Sequence, residues 1–161
     1  MSAKLSRAPV LVWYLAALGL GLLSATTSSA ATPPAASNMK FQAYLLWGTD
    51  DAKPPEGKDH KPVSPEIQKK LSDLPLKWKN WFQVNEKSFF LSLGGSTNIT
   101  MSDKCELRVK GLGDKNLEVS LIGKGKEVMK RTQLLPIGET LVLGGNAPNS
   151  TAWLVVLKRI E

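Results

Sequence analysis

The chain has 161 residues, with 21 Lys+Arg against 14 Asp+Glu and a formal net charge of +7. That length suits one ordinary domain with a tail rather than two full domains, and 42% hydrophobic with 22% charged residues excludes a disordered chain. A single histidine and a single cysteine exclude an internal disulfide framework and most all-protein zinc sites.

The first thirty residues read as an address. Lys4 and Arg7 give a positive start, Pro9 to Leu23 carries no charge, and Ser28-Ser29-Ala30 fits the small-x-small pattern of a signal-peptidase cut. The apolar run is shorter than the roughly 20 residues of a spanning helix, so a cleaved secretory signal over 1–30 is expected in preference to an uncleaved anchor. No later segment is long and apolar enough to span as a helix, so no permanent transmembrane helix is expected after cleavage. The expected destination is periplasm, envelope or medium. Without residues 1–30 the chain keeps 19 basic and 14 acidic residues, a formal charge of +5. Its lysines are spread along the chain, as on a solvated surface, and nucleic acid is not an expected partner.

Residues 31–38 (ATPPAASN) read as a flexible spacer, and 39–161 as a single β-rich domain. Met39–Trp47 is the first strand, followed by a polar loop, Gly48 to Val63, with three prolines. Ser64-Pro65-Glu66 predicts a helix start, with Ser as N-cap and Pro at the first helical position. Ile67, Leu71 and Leu74 share one helical face, and Pro75 ends the helix.

Beyond the helix the pattern turns to strands. Ser88–Leu93 and Asn98–Met101 flank a Gly94-Gly95 turn. Lys104–Lys110 alternates cleanly, with Cys105, Leu107 and Val109 inward, and Leu117, Val119 and Leu121 resume that phase after a turn at 111–116. Cys105 therefore reads as a buried small hydrophobe rather than a reactive or intermolecular thiol. Gly123-Lys124-Gly125 turns the chain into Lys126–Leu134, whose mixed polarity predicts an edge strand. Thr140–Leu143 is a strand, Gly144–Asn149 a polar loop, and Trp153–Leu157, apolar on both faces, a central strand. The expected fold is all-β: a small antiparallel sandwich or barrel of five or more strands with one short helix.

Gly138-Glu139-Thr140-Leu141-Val142-Leu143-Gly144-Gly145, followed by Leu154-Val155-Val156-Leu157-Lys158-Arg159-Ile160, resembles the C-terminal end of the bacterial secretin domain. That family carries a Gly-polar-Thr-aliphatic run closing on Gly-Gly, then an apolar strand ending on a basic residue and Ile. The hairpin Leu107–Ile122 is similar to the strand pair upstream of that turn. Within 107–160 the chain departs at Lys158, where the family usually has Pro, and at Asn146, where it often has Leu. The resemblance implies a bacterial envelope protein, without the modules of a complete channel.

No motif predicts catalysis. His60 lies in a Pro-bounded, lysine-flanked loop, reads as a solvated histidine, and has no Gly-x-Ser-x-Gly elbow to serve. Asp50, Asp51, Glu56 and Asp59 lack calcium-loop spacing and read as solvated loop acids. Gly123-Lys124-Gly125-Lys126 lacks the Ser/Thr and helix of a phosphate loop. No catalytic residue, metal or cofactor is therefore expected. The aromatic-basic stretch Leu76–Phe82 stands apart: if exposed, Lys77, Trp78, Lys79 and Trp81 would suit a glycan, an anionic polymer or a protein partner; if buried, the two tryptophans are core. The expected function is an exported, non-enzymatic cell-envelope protein acting through its β-surface as an interaction or accessory module, its partner an envelope protein or a cell-wall polymer. A carbohydrate- or anion-binding domain using that stretch, and a small secreted hydrolase, are the alternatives.

Overall fold

The computed structural model describes residues 38–147 and 149–161, so the expected signal peptide and spacer residues 31–37 lie outside it. Asn38, read as the last spacer residue, already belongs to the first strand. The described chain runs β1 (Asn38–Thr49), β2 (Lys61–Pro62), α1 (Pro65–Ser72), β3 (Asn80–Ser92), β4 (Ser96–Ser102), β5 (Cys105–Gly113), β6 (Asn116–Gly123), β7 (Lys126–Leu134), β8 (Thr140–Asn146) and β9 (Ala152–Arg159). Five strands form one sheet in the order β2-β3-β1-β9-β8, and four form a second in the order β4-β5-β6-β7. Every pairing is antiparallel. The sandwich alternative is the one realised; the sheets do not join into a closed barrel.

The alternation of side chains explains the main core. Phe41, Ala43 and Leu45 of β1, with Val155 and Leu157 of β9, meet Leu107, Val109, Val119 and Leu121 from β5 and β6 in one buried cluster. Period-2 alternation puts the charged residues of β5, among them Arg108 and Lys110, on the outer face. β9 lies between β1 and β8, as its unbroken apolar run predicts. Its other face carries Leu154 and Val156 into a second cluster with Ile67, Leu71, Trp78 and Trp81. The five-stranded sheet is thus covered on both sides, by the four-stranded sheet and by α1 with the segment after it.

Local signals position that cover. Ser64 Oγ accepts from the Ile67 backbone N–H at 3.4 Å, with Pro65 opening the helix as expected. Ile67 and Leu71 are buried; Leu74 lies beyond the last turn and is half-exposed. An ion pair from Lys158 of β9 to Glu66 ties the first helical turn to the sheet.

Two strand expectations are corrected. β3 begins at Asn80, not Ser88, because pairing with β1 along its whole length holds even the polar run Asn85-Glu86-Lys87 extended. β8 continues through Gly144 and Gly145, expected as loop, because these glycines pair with Leu154 and Trp153. At Gly144, φ is +153° and an added Cβ would lie 2.2 Å from the Trp153 carbonyl oxygen, so only glycine lets the strand pass. Trp153, expected to open a strand apolar on both faces, is partly buried and packs against the main cluster. The edge position expected for Lys126–Leu134 is observed: β7 ends the four-stranded sheet.

Candidate functional site: a cleft at one end of the sandwich

The turns at Asp103-Lys104 and Lys124-Gly125 and the chain around Ala147 lie at the same end of the sandwich. There the sheets part around a cleft of about 630 Å³. Three register shifts fall near it: between Leu45 and Leu46 along β1, between Thr100 and Ser102 along β4, and between Leu121 and Ile122 along β6. Such bulges bend a strand and increase its twist, so neighbouring sheets splay. Side-chain size adds to the opening. Cys105 and Gly123, directly opposite each other on β5 and β6, give the four-stranded sheet a shallow floor.

The facing wall is aromatic. Trp47 and Trp153 are direct cross-strand partners on β1 and β9, and both line the cleft. Trp47 is also opposite Phe82 of β3, their ring centroids 6.0 Å apart. Val84, the residue skipped by the β1–β3 register shift, and Val128 of β7 complete the apolar lining.

The polar groups are few. Lys104 and Lys124 reach the cleft from neighbouring turns, which the Lys124 backbone N–H joins by donating to the Lys104 carbonyl oxygen at 2.9 Å. Ser102 and His60 are the other polar side chains of the lining, and no acid contributes to it. Contrary to the expected solvated loop histidine, His60 is turned in beside Trp47, centroid to centroid 6.1 Å. Its Nδ1 is buried with no hydrogen-bond partner among the described residues. The cause is the two-residue strand β2, whose pairing with Gln83 and Phe82 sets the chain direction just after His60. Nothing in the local sequence signals that pairing, since Pro62 and two lysines read as loop.

Cys105 faces inward as its alternation predicts. Burial pushes its thiol up to about 11, so near neutral pH it is a protonated, apolar lining group rather than a nucleophile. Among the described residues no three His, Cys, Asp or Glu side chains gather as a metal-binding group. Asp50 and Asp51 engage their own surroundings, Asp50 Oδ1 accepting from the Lys79 backbone N–H and Asp51 Oδ2 from the Thr49 hydroxyl.

The aromatic-basic stretch lies elsewhere. Trp78 and Trp81 are 8% and 5% exposed and meet edge to face at 6.1 Å in the cluster beneath α1. Trp78 Nε1 donates to the Ser150 carbonyl at 2.8 Å, which satisfies its one polar atom. Gly48 makes room for the second indole, since a Cβ there would sit 2.5 Å from the Trp81 ring. Of the two alternatives for these rings, the structure takes burial. Lys77 and Lys79 are exposed, Lys77 Nζ lying 4.9 Å from the Trp78 ring centroid. A glycan platform needs an open ring face, and these rings are enclosed.

No protein family, curated protein or solved structure matches the chain.

Proposed function

We propose that the chain is an exported, non-enzymatic binding domain whose end cleft holds a small, largely apolar molecule. The observation that carries this reading is the aromatic wall of Trp47 and Trp153 facing an open cleft of about 630 Å³. That volume lies within the roughly 300–1,000 Å³ of small-molecule sites, which combine apolar lining with a few placed polar groups. Folding buries large apolar surface wherever it can; two half-buried tryptophans beside a carbon-lined cleft are surface left for a ligand to cover. The protonated Cys105 thiol and the lack of a hydrogen-bonded orienting partner for His60 Nδ1 favour binding over nucleophilic chemistry. Export rests on residues 1–30 of the sequence.

The test is titration with N-phenyl-1-naphthylamine, a neutral apolar fluorophore. Binding raises its emission; Trp47→Ala with Trp153→Ala abolishes the rise, and Trp78→Phe leaves it intact. No binding by the folded wild type would refute the reading. Turnover of an ester, peptide or glycan substrate that is lost in His60→Ala would refute its non-enzymatic half.

A second reading keeps the interaction module. β7 is an unpaired sheet edge with Val128 and Leu134 more than half exposed, so a partner could add a strand there. Lys126, Glu127, Lys130 and Arg131 on the same strand are the charges that commonly guard an edge against pairing. Protection of β7 amides from exchange by an envelope partner, with the cleft unaffected, would favour this second reading.

A further inference from the structure

We infer that the molecule held in the cleft is an anionic amphiphile, its head group between Lys104 and Lys124 and its apolar body along Trp47 and Trp153. This deepens the binding reading and rests on it. A purely apolar ligand would need no charged rim, yet both lysines reach the cleft, from turns locked together by the backbone hydrogen bond between them. Neither lysine lies within ion-pair distance of an acid among the described residues. The nearby Glu127 is engaged by Lys130 at 3.6 Å, and Asp103, preceding Lys104 in its turn, does not line the cleft.

The charge of the lining is therefore of one sign. Two exposed lysines at the rim of an otherwise apolar cleft attract an anion over a distance that salt shortens. His60 adds a polar contact of either sense: its buried Nδ1 lacks a partner among the described residues and can bond a head-group atom as donor or acceptor according to its tautomer. An ammonium-headed ligand is repelled by both lysines and finds no acid in the lining. A carboxylate, sulfate or phosphate head group on an alkyl or aryl body fits both parts of the site. The shared chemistry is the anion joined to the apolar body, whether the source is a free fatty acid or a lysophospholipid.

Calorimetric titration of the protein with decanoate, decanol and decyltrimethylammonium, each below its micellar concentration, separates charge from tail. Decanoate is expected to bind at least tenfold more tightly than decanol, and the cationic probe more weakly than either. Lys104→Gln with Lys124→Gln is expected to erase the decanoate advantage, so that decanoate and decanol then bind the variant alike. Raising salt from 50 to 500 mM is expected to weaken decanoate binding alone. Lysophosphatidate and decanoate run side by side show which source binds more tightly. Equal affinity for decanoate and decanol, or a decanoate advantage that survives the double substitution, would overturn the inference while the binding reading stands. Absence of binding by all three probes would overturn both.

Discussion

Trp47 and Trp153 stand directly opposite each other on β1 and β9, 106 positions apart in the chain, and both face the opening between the two sheets. The pair sits beyond the closed part of the sandwich, where Leu45 and Val155, two positions inward on the same strands, are buried. The same strands thus supply the core and then the wall of the cleft. Stability and binding are separable on that account.

Replacing Trp153 by Ala is expected to lower apolar-probe affinity by about tenfold, a loss of roughly 1.4 kcal/mol, with a smaller effect on folding than at a fully buried tryptophan because the ring is only partly buried. Replacing Trp78 by Ala is expected to remove about 3–5 kcal/mol of stability, the range for a buried large aromatic, because its ring is buried and its N–H satisfied by Ser150. Urea unfolding of both variants beside probe titration checks the separation. A Trp153 variant that unfolds like the Trp78 variant would place that ring in the load of the fold.

Two glycines are expected to resist substitution for different reasons. Gly48→Ala forces the Trp81 ring aside from a 2.5 Å contact, and overpacking of that kind typically costs about 1–3 kcal/mol. Gly144→Ala is expected to be the worse change, since its Cβ meets a backbone oxygen that cannot rotate away, at a φ that L-residues avoid. Thermal unfolding of the two variants ranks them.

The Cys105 thiol gives a pH-dependent readout. The thiolate is the reactive form, and burial holds the pKa near 11. Alkylation of the folded protein is therefore expected to be slow at pH 7 and to climb about tenfold per pH unit up to that pKa. Because the unfolded thiol loses its proton first, the same shift lowers folding stability as pH rises from the ordinary thiol range toward 11. A cleft ligand is expected to slow alkylation further. Fast labelling at neutral pH would contradict the buried, protonated assignment.

Ser64→Ala is expected to remove about 1 kcal/mol, the usual effect of losing an N-cap acceptor, since Ser64 Oγ accepts from Ile67 N. The loss falls on α1, which covers the outer face of the five-stranded sheet, so apolar-probe affinity is expected to stay unchanged. Unfolding and titration of the one variant measure both.

The sheets were legible in the sequence wherever one face meets water. The alternation at Cys105–Lys110 placed every inward residue of that stretch of β5, and the unbroken apolar run of β9 announced a strand covered on both sides. The Ser-Pro-Glu helix start was equally local. Legibility failed where partner strands decide. The polar middle of β3 is extended because β1 pairs with it, and Gly144-Gly145 looks like a turn until large residues are set opposite. The cleft was illegible for the same reason: its lining comes from stretches scattered between Leu45 and Trp153 and brought together by register. His60, a loop residue by composition, is turned inward by a two-residue strand that no local pattern marks.

Nuclear Overhauser spectroscopy of the isotope-labelled domain with unlabelled decanoate tests most directly whether the end cleft is the binding site. Contacts are expected from the decanoate chain to the methyl groups of Val84 and Val128 and to the rings of Trp47 and Trp153. Contacts to β7 or to the outer face with none to Trp47 or Trp153, or no contacts at a concentration that saturates binding, would contradict that placement.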